Sequence, residues 1–292
     1  MDTPSRLAST RNWWSPPNSK EVGAANPGRL VAAVYLAAVR RVTGISQGQA
    51  ARAVGLPVRV VHRLERDAAV DPCAAEGLMR AYGITAEEDL GAVLRLLTAW
   101  NGCESMLWDS GPGNRDRLGA CERAAHTVRM WSAMVLPDPL QTPAYARAVA
   151  HRIRLDLAPG PVPLGMRVLS HGGPRVTLLL DEAVLTRPIG GYDVMADQLA
   201  HLCRLVGHGA ATVRVVPVDC GVIPPAGELS ELHLPNGRLY VHEGASVNYV
   251  VEPVARVRFR AHLDALEAAA LPPRESYRRL DRARNTFERR TA

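Results

Sequence analysis

The chain has 292 residues, enough for two domains, and its 47% hydrophobic content allows a substantial buried core. No run of about 18 apolar residues is present, so we expect no membrane span, and the polar N-terminus lacks a signal-peptide core. The sequence therefore predicts a cytoplasmic protein, and its net charge of +6 favours phosphate-bearing partners.

Residues 1–26 are polar and contain several prolines, and we predict a disordered tail there. The cysteines show no CxxC pair and no regular spacing, which indicates free thiols. His201 and His208 lie seven residues apart with no third ligand nearby in the sequence. We therefore predict neither a metal site nor a cofactor.

The N-terminal domain is predicted to span residues 27–100 and to contain five helices. Residues 30–43 carry apolar side chains at every fourth position, which is typical of a helix that buries one side. Residues 72–82 and 87–100 predict two more helices, with Thr85 as a candidate N-cap for the second. The other two helices come from the segment between them.

That segment, residues 45–67, predicts two short helices joined by a tight turn. Ser46 is a candidate N-cap, Gly55 suits the positive φ of a helix end, and Pro57 can open the second helix. The apolar stripe of the second helix consists of Val58, Val61 and Leu64. A layout of this kind is typical of a helix-turn-helix, whose second helix enters the DNA major groove.

Several of these residues fall in the pattern of one known family: Ile45-Ser46-Gln47, Ala51, Gly55-Leu56, Val61 and Arg63-Leu64-Glu65-Arg66. The segment resembles the helix-turn-helix of the XRE (phage-repressor-like) regulators over about residues 30–100. Pro57 stands where the family usually has a capping Ser, and Asp67 where it usually has Gly.

The XRE resemblance implies binding to double-stranded DNA. Gln47 would contact a phosphate, and Val58, Arg59 and His62 would face base edges. Between Arg29 and Arg66 seven arginines stand against the single acid Glu65, a balance that attracts phosphate. The candidate DNA-binding residues are Ser46, Gln47, Arg52, Val58, Arg59, His62, Arg63 and Arg66.

The fold class that we predict is α+β, with a C-terminal mixed α/β domain at residues 120–288. The Gly-rich residues 101–119 predict a linker, and residues 120–134 predict a helix. Apolar runs predict strands, and Asn236-Gly237 and residues 243–246 predict hairpin turns between them. The predicted strands are residues 176–180, 211–218, 231–234, 239–242 and 247–251, and the predicted helices are residues 194–206, 254–270 and 274–287.

Residues 135–147, VLPDPLQTPAYAR, are similar to the signature of the DUF5753 domain. Further matches follow in order at Asp181-Glu182-Ala183, Gln198-Leu199, Glu243 with Tyr249, and Glu275-Ser276. The resemblance covers about residues 121–283. It implies an actinobacterial antitoxin-like regulator in which this domain follows an XRE helix-turn-helix, together with a small partner protein of the DUF397 type. Asp138-Pro139 replace the Gly-Leu of the signature, and the usual "R..RQ" before the first strand is missing.

No catalytic residue is predicted. Asp181 and Glu182 are adjacent and would point to opposite faces of a strand, and Ser170-His171 lacks a visible third partner. Thr142 is a candidate cap for a helix opened by Pro143. The candidate ligand- or partner-binding residues are Gln141, Thr142, Tyr145, Asp181, Glu182, Arg187, His201, Glu243 and Tyr249.

The sequence thus favours a DNA-binding transcriptional regulator, expected to be a homodimer, whose C-terminal domain senses a small-molecule effector or binds a partner. The alternative is a divergent regulator repurposed as a small-molecule-binding protein or enzyme, with its pocket near Asp181, Glu182, His201 and Tyr249. Exposed Arg59 and Arg63 side chains would favour the regulator. Burial of these side chains against residues beyond position 101 would favour the alternative.

Overall fold

The computed structural model describes residues 26–291 except 69–70, 100–104, 154–172, 224, 226 and 245. The predicted tail, apart from Asn26, and the Ser170-His171 pair therefore lie outside the described residues.

The described residues before position 100 are helical, as predicted. Asn26 caps the first helix by accepting from the Arg29 amide at 3.3 Å, and Pro27 occupies its first position. The last helix of this region begins after Ala86, which makes no side-chain cap, so the prediction of Thr85 as its N-cap is wrong. The helices are α1 (Pro27–Val42), α2 (Gln47–Ala53), α3 (Val58–Asp67), α4 (Pro72–Ala81) and α5 (Glu87–Thr98).

The rest of the described chain forms a mixed sheet with helices on both faces. The strands are β1 (Met106–Asp109), β2 (Thr127–Ser132), β3 (Arg175–Asp181), β4 (Ala211–Val216), β5 (Glu228–Leu234), β6 (Gly237–Glu243) and β7 (Val247–Val250). The helices are α6 (Asn114–Ala124), α7 (Pro143–Ile153), α8 (Tyr192–Gly207), α9 (Pro253–Ala269) and α10 (Pro273–Thr291), with short 3₁₀ turns at Asp138–Leu140 and Glu182–Thr186. This confirms the mixed α+β character expected from the sequence.

Within the described residues, the strand order is β1-β7-β6-β5-β2-β3-β4. Strands β2, β3 and β4 are parallel, whereas β5, β6 and β7 form antiparallel hairpins. Both predicted hairpin turns are confirmed, because Leu234 pairs with Gly237 and Glu243 pairs with Val247. The outer edge of β4 is covered by the segment before α10 and by the first turn of that helix. The Leu271 amide donates to the Val215 carbonyl at 2.8 Å, and the Ser276 hydroxyl accepts from the Val215 amide at 2.9 Å.

The prediction of a helix over residues 120–134 is wrong. Its first part belongs to α6, which starts earlier, and its second part is β2, which pairs with β3 on one side and β5 on the other. Trp131 on this central strand is fully buried. Residues 101–119, predicted as a linker, include β1 and the start of α6 among their described part. A strand of four residues such as β1 carries too short an alternation to be detected in the sequence.

The two faces of the sheet are covered differently. Helices α1, α6, α8 and α10 cover one face, while α9 packs on the other around Phe259, Leu263 and Leu266. The buried cluster on the first face runs from Leu30 and Leu36 in α1 to Leu232 and Val241 in the sheet. The N-terminal helices and the sheet therefore share one hydrophobic core.

Candidate functional site

The α2–α3 hairpin is built by local signals in its sequence. Ser46 caps α2 in a capping box, in which its hydroxyl accepts from the Gln49 amide at 3.2 Å and its own amide donates to the Gln49 side chain at 2.8 Å. Gly55 has a φ of +67°, as predicted for the turn. Pro57 occupies the N-cap position of α3 and makes no side-chain hydrogen bond there. Val58 is the first helical residue.

Helix α3 buries its apolar side and exposes a basic one. Val61 and Leu64 are fully buried, whereas Arg59, His62, Arg63 and Arg66 are exposed. The spacing of these four residues, three and four apart, places them along one side of the helix. Arg52 on α2 and Val58, which is 49% exposed, are also accessible. We call Arg52, Arg59, His62, Arg63 and Arg66 the α3 basic surface.

Glu65, the acid within this arginine-rich region, is removed from the surface by its contacts. Its carboxylate is only 5% exposed and receives hydrogen bonds from Arg40 at 2.5 and 2.9 Å, from Gln47 at 2.9 Å and from the Tyr82 hydroxyl at 3.0 Å. Burial acts to raise the pKa of Glu65, but these hydrogen bonds outweigh it and lower that pKa. Glu65 therefore fixes α3 against α1, α2 and α4 and does not neutralise the α3 basic surface.

Two predicted DNA-binding residues have partners within the protein. The Gln47 amide, expected to contact a phosphate, donates to Glu65. The Arg66 guanidinium pairs with Asp67 at 2.7 Å, although its side chain remains 57% exposed. The Arg66 carbonyl also accepts from the Asn236 side chain at 2.7 Å, so the turn between β5 and β6 contacts the last turn of α3.

In the C-terminal region, the residues of the 135–147 signature hold one another in place. Gln141 is buried and donates to the Leu136 carbonyl at 2.5 Å. Thr142 caps α7, as predicted, by accepting from the Tyr145 amide at 3.3 Å. The buried Tyr145 hydroxyl accepts from the Leu136 amide at 3.2 Å, and burial raises the pKa of Tyr145 to about 12. These contacts stabilise a loop and a helix start.

Gln198 on α8 joins this signature to a second matched motif. Its side-chain oxygen accepts from the Thr142 amide at 2.6 Å, and its nitrogen donates to the Leu140 carbonyl at 2.9 Å. Gln198 is fully buried. The two motifs are therefore neighbours in space, and the Gln198 side chain satisfies backbone groups of the signature loop.

The four residues proposed for a catalytic pocket are not brought together. Asp181 caps the 3₁₀ turn that follows β3 by accepting from the Ala183 amide at 2.8 Å, and Glu182 pairs with Arg279 on α10. Tyr249 lies on β7, which is separated from β3 by three strands, or about 19 Å at the usual strand spacing. Its hydroxyl is fully buried and donates to Asp109 at 3.4 Å.

Arg187 and His201 make different contacts. Arg187 is exposed and donates to the Ala133 and Met134 carbonyls at 3.3 and 3.2 Å, near the start of the signature loop. His201 is half-buried on α8, and burial together with the charge of Arg204 lowers its pKa. The charge of Arg187 acts to lower the pKa of Tyr145, so Arg187 lies near that residue of the signature.

Glu243, in contrast, belongs to a cluster of carboxyl groups that the sequence did not reveal. At the end of β6 it lies directly opposite Glu228 on β5, and its carboxylate accepts from Arg115 at 2.9 Å. Arg115 also contacts Asp138 at 3.3 Å. Burial raises the pKa of Glu243 to about 7 and that of Glu228 to about 8, assisted by the other carboxyl groups.

Glu122 on α6 completes this acidic cluster. It is 4% exposed, and burial raises its pKa well above the ordinary value, with Glu243 and Asp138 adding to the effect. The cluster surrounds a cavity of about 20 Å³. One signal in the sequence pointed here, namely Asp138, which replaces the usual residue of the family signature.

A wider hollow of about 440 Å³ lies on the other face of the sheet, beside α9. Its main charges pair with one another, because Arg129 contacts Glu231, Asp264 and Glu267 at 2.7, 2.6 and 2.9 Å. This hollow therefore offers few unpaired groups to a ligand.

Two kinds of feature are absent from the described residues. No group of three or more His, Cys, Asp or Glu in that part of the chain is arranged to hold a metal ion. None of the helices there combines the length and apolar character needed to cross a membrane.

The fold is that of an α+β protein with an N-terminal helical region and a C-terminal mixed sheet. Residues 115–282, more than half of the chain, match the model of the family described as "Domain of unknown function (DUF5753)", and the chain belongs to this family. The extent agrees with the resemblance found in the sequence. Comparisons with curated proteins and with solved structures gave no match.

Proposed function

We propose that this protein is a sequence-specific DNA-binding transcriptional regulator. In this proposal α2 and α3 form an XRE-type helix-turn-helix, and α3 is the recognition helix. The observation that carries the proposal is the α3 basic surface. Three arginines and His62 line one exposed side of α3, which is anchored from its opposite side by Val61, Leu64 and Glu65, and Arg52 on α2 is exposed as well.

The charge distribution supports the same reading. Glu65, the acid nearest the middle of α3, is buried and ion-paired. Asp67 pairs with Arg66, so phosphate groups approaching this side would meet chiefly the positive charges of Arg59 and Arg63. Arg59 and Arg63 are exposed and are not packed against residues beyond position 101, which is the arrangement expected of the regulator and not of the repurposed protein.

The DUF5753 region is proposed as the regulatory part, which responds to a small-molecule effector or binds a small DUF397-type protein. We also propose a homodimer, since regulators of this type read two half-sites about one helical turn apart. The sheet shares its hydrophobic core with the N-terminal helices, and Asn236 in the turn between β5 and β6 contacts the end of α3. These contacts connect the sheet physically to the proposed recognition helix.

The proposal is tested by gel-shift assays with the full-length protein on its own upstream DNA, at low and high salt. A discrete shift that survives unrelated competitor DNA is the expected result. Arg59→Ala should weaken binding by about 1–3 kcal/mol and relax base preference, whereas Arg52→Ala should weaken binding similarly on all sequences and reduce the salt slope by about 1.

The exposed Arg258 on α9 provides a matched control, because Arg258→Ala removes the same charge far along the chain from α3. It should leave operator affinity nearly unchanged. Equal losses for Arg258→Ala and Arg59→Ala would mean that only net charge matters. Unchanged affinity for Arg59→Ala would refute the assignment of α3 as the recognition helix.

A further inference from the structure

The acidic cavity lies between α6, the 3₁₀ turn Asp138–Leu140 and the end of β6. Its volume of about 20 Å³ is enough for a single water-sized group. Apolar side chains form part of the wall, and three carboxyl groups face the space. The lining residues used below are Arg115, Glu122, Asp138 and Glu243.

The charges around this cavity do not balance. Of the described lining residues, Arg115 is the one cation, and it is already shared between Asp138 and Glu243. Glu122 as a residue is 4% exposed, and within the described part of the chain its carboxyl makes no hydrogen bond. A buried carboxyl without a hydrogen-bond partner is costly unless a proton or a cation compensates it.

Glu228 adds another carboxyl group to this excess of acidic side chains. It stands directly opposite Glu243 in the sheet, where like charges destabilise the pair, and its own hydrogen bond comes from the Ser132 hydroxyl at 3.1 Å. Arg123, the next residue after Glu122, does not line the cavity. Its charge acts to lower the pKa of Glu122, but this effect is smaller than that of burial, which raises the same pKa.

We propose that this cavity binds the primary ammonium group of an organic amine, with Glu122, Asp138 and Glu243 as acceptors. An ammonium group has three N–H donors and is close to water in size, which fits both the volume and the number of facing carboxyl groups. The described residues contain no group of three or more His, Cys, Asp or Glu arranged to hold a metal ion. The tail of the amine would leave past Asp138, whose side chain is 35% exposed.

This assignment names the effector class within the proposed function, and its test needs no DNA. The thermal unfolding of the full-length protein is followed at mildly alkaline pH with increasing n-butylammonium chloride, and in parallel with tetramethylammonium chloride. Because tetramethylammonium has the same charge but no N–H, a saturable rise in Tm is expected only with n-butylammonium. A failure here would leave the DNA-binding proposal untouched.

Two variants test whether the amine raises the Tm by binding at this cavity. Glu122→Gln keeps the shape of the side chain and removes the anionic acceptor, so the amine concentration needed for half the Tm rise should increase about tenfold or more. Glu88→Gln, an exposed carboxylate in the first turn of α5, is the matched control and should respond as the wild type does. Equal Tm rises with both salts, or an unchanged response in Glu122→Gln, would overturn the assignment.

Discussion

Replacing Glu228 by Gln should stabilise the protein, and the gain should grow as the pH rises. The folded-state pKa of this carboxyl is raised to about 8 from 4.5, chiefly by burial and then by the charges of Glu243 and Asp138. Between these two values the folded protein keeps a proton that the unfolded chain releases, so the stability contributed by the protonated carboxyl is complete below about pH 4.5 and is lost as the pH rises toward 8. At 1.36 kcal/mol per pKa unit the loss reaches about 5 kcal/mol if Glu228 alone holds the proton, and less where Glu243 shares it.

Urea unfolding of wild type and Glu228→Gln, measured at several pH values from about 5 to about 8, gives the difference in free energy of unfolding directly. Glutamine has no proton to lose, so the difference should increase in favour of the variant across this range. Glu88→Gln again serves as the control, and its difference from the wild type should stay small throughout. A difference for Glu228→Gln that does not change with pH would refute the inference that this carboxyl holds a proton in the folded state.

Three further substitutions test the anchoring of the helices. Glu65→Gln should lower the free energy of unfolding by about 3 kcal/mol, because it leaves the Arg40 guanidinium largely buried without its anionic partner; unchanged urea unfolding would contradict this. Gly28→Ala should lower the free energy of unfolding by about 1–3 kcal/mol, since the added Cβ would stand 2.5 Å from a backbone oxygen of α5. Gly91→Ala, where the added Cβ would meet the Arg95 side chain at an ordinary 3.5 Å, is the control and should raise it by about 0.5–1 kcal/mol. Equal melting temperatures for the two variants would show that α1 can shift. Asn236→Ala should weaken operator binding by up to about fivefold through the lost hydrogen bond to the end of α3, and an unchanged gel shift would mean that this bond does not position the helix.

The residues of the matched DUF5753 motifs mainly stabilise the fold. Gln141, Thr142 and Gln198 satisfy buried backbone groups around the signature loop, and Ser276 covers the edge of the sheet at β4. Sequence signatures of this kind therefore mark positions where buried polar groups need specific partners. Among the candidate residues of this region, Glu243 lines the acidic cavity.

Local chemistry in the sequence was sufficient for the helices and turns of the hairpin α2–α3 and for the strands β3 to β7. A capping hydroxyl at Ser46, a positive φ at Gly55 and an Asn-Gly turn before β6 act within a few residues, so their effects can be predicted without a fold. The buried residues Val61 and Leu64 of α3 were likewise visible in its periodicity, whereas Val58, the third residue of the predicted apolar stripe, is 49% exposed.

Only the tertiary structure determines the secondary structure of residues 120–134 and the existence of the acidic cavity. β2 is a strand because β3 and β5 supply its hydrogen bonds on both sides, and pairing partners distant in sequence override weak local preference. Glu122, Asp138, Glu228 and Glu243 are spread over more than 120 positions of the chain, and each alone has the character of a surface carboxylate. Their altered pKa values arise from burial and mutual repulsion, which exist only once α6, the signature loop and the β5–β6 hairpin have packed together.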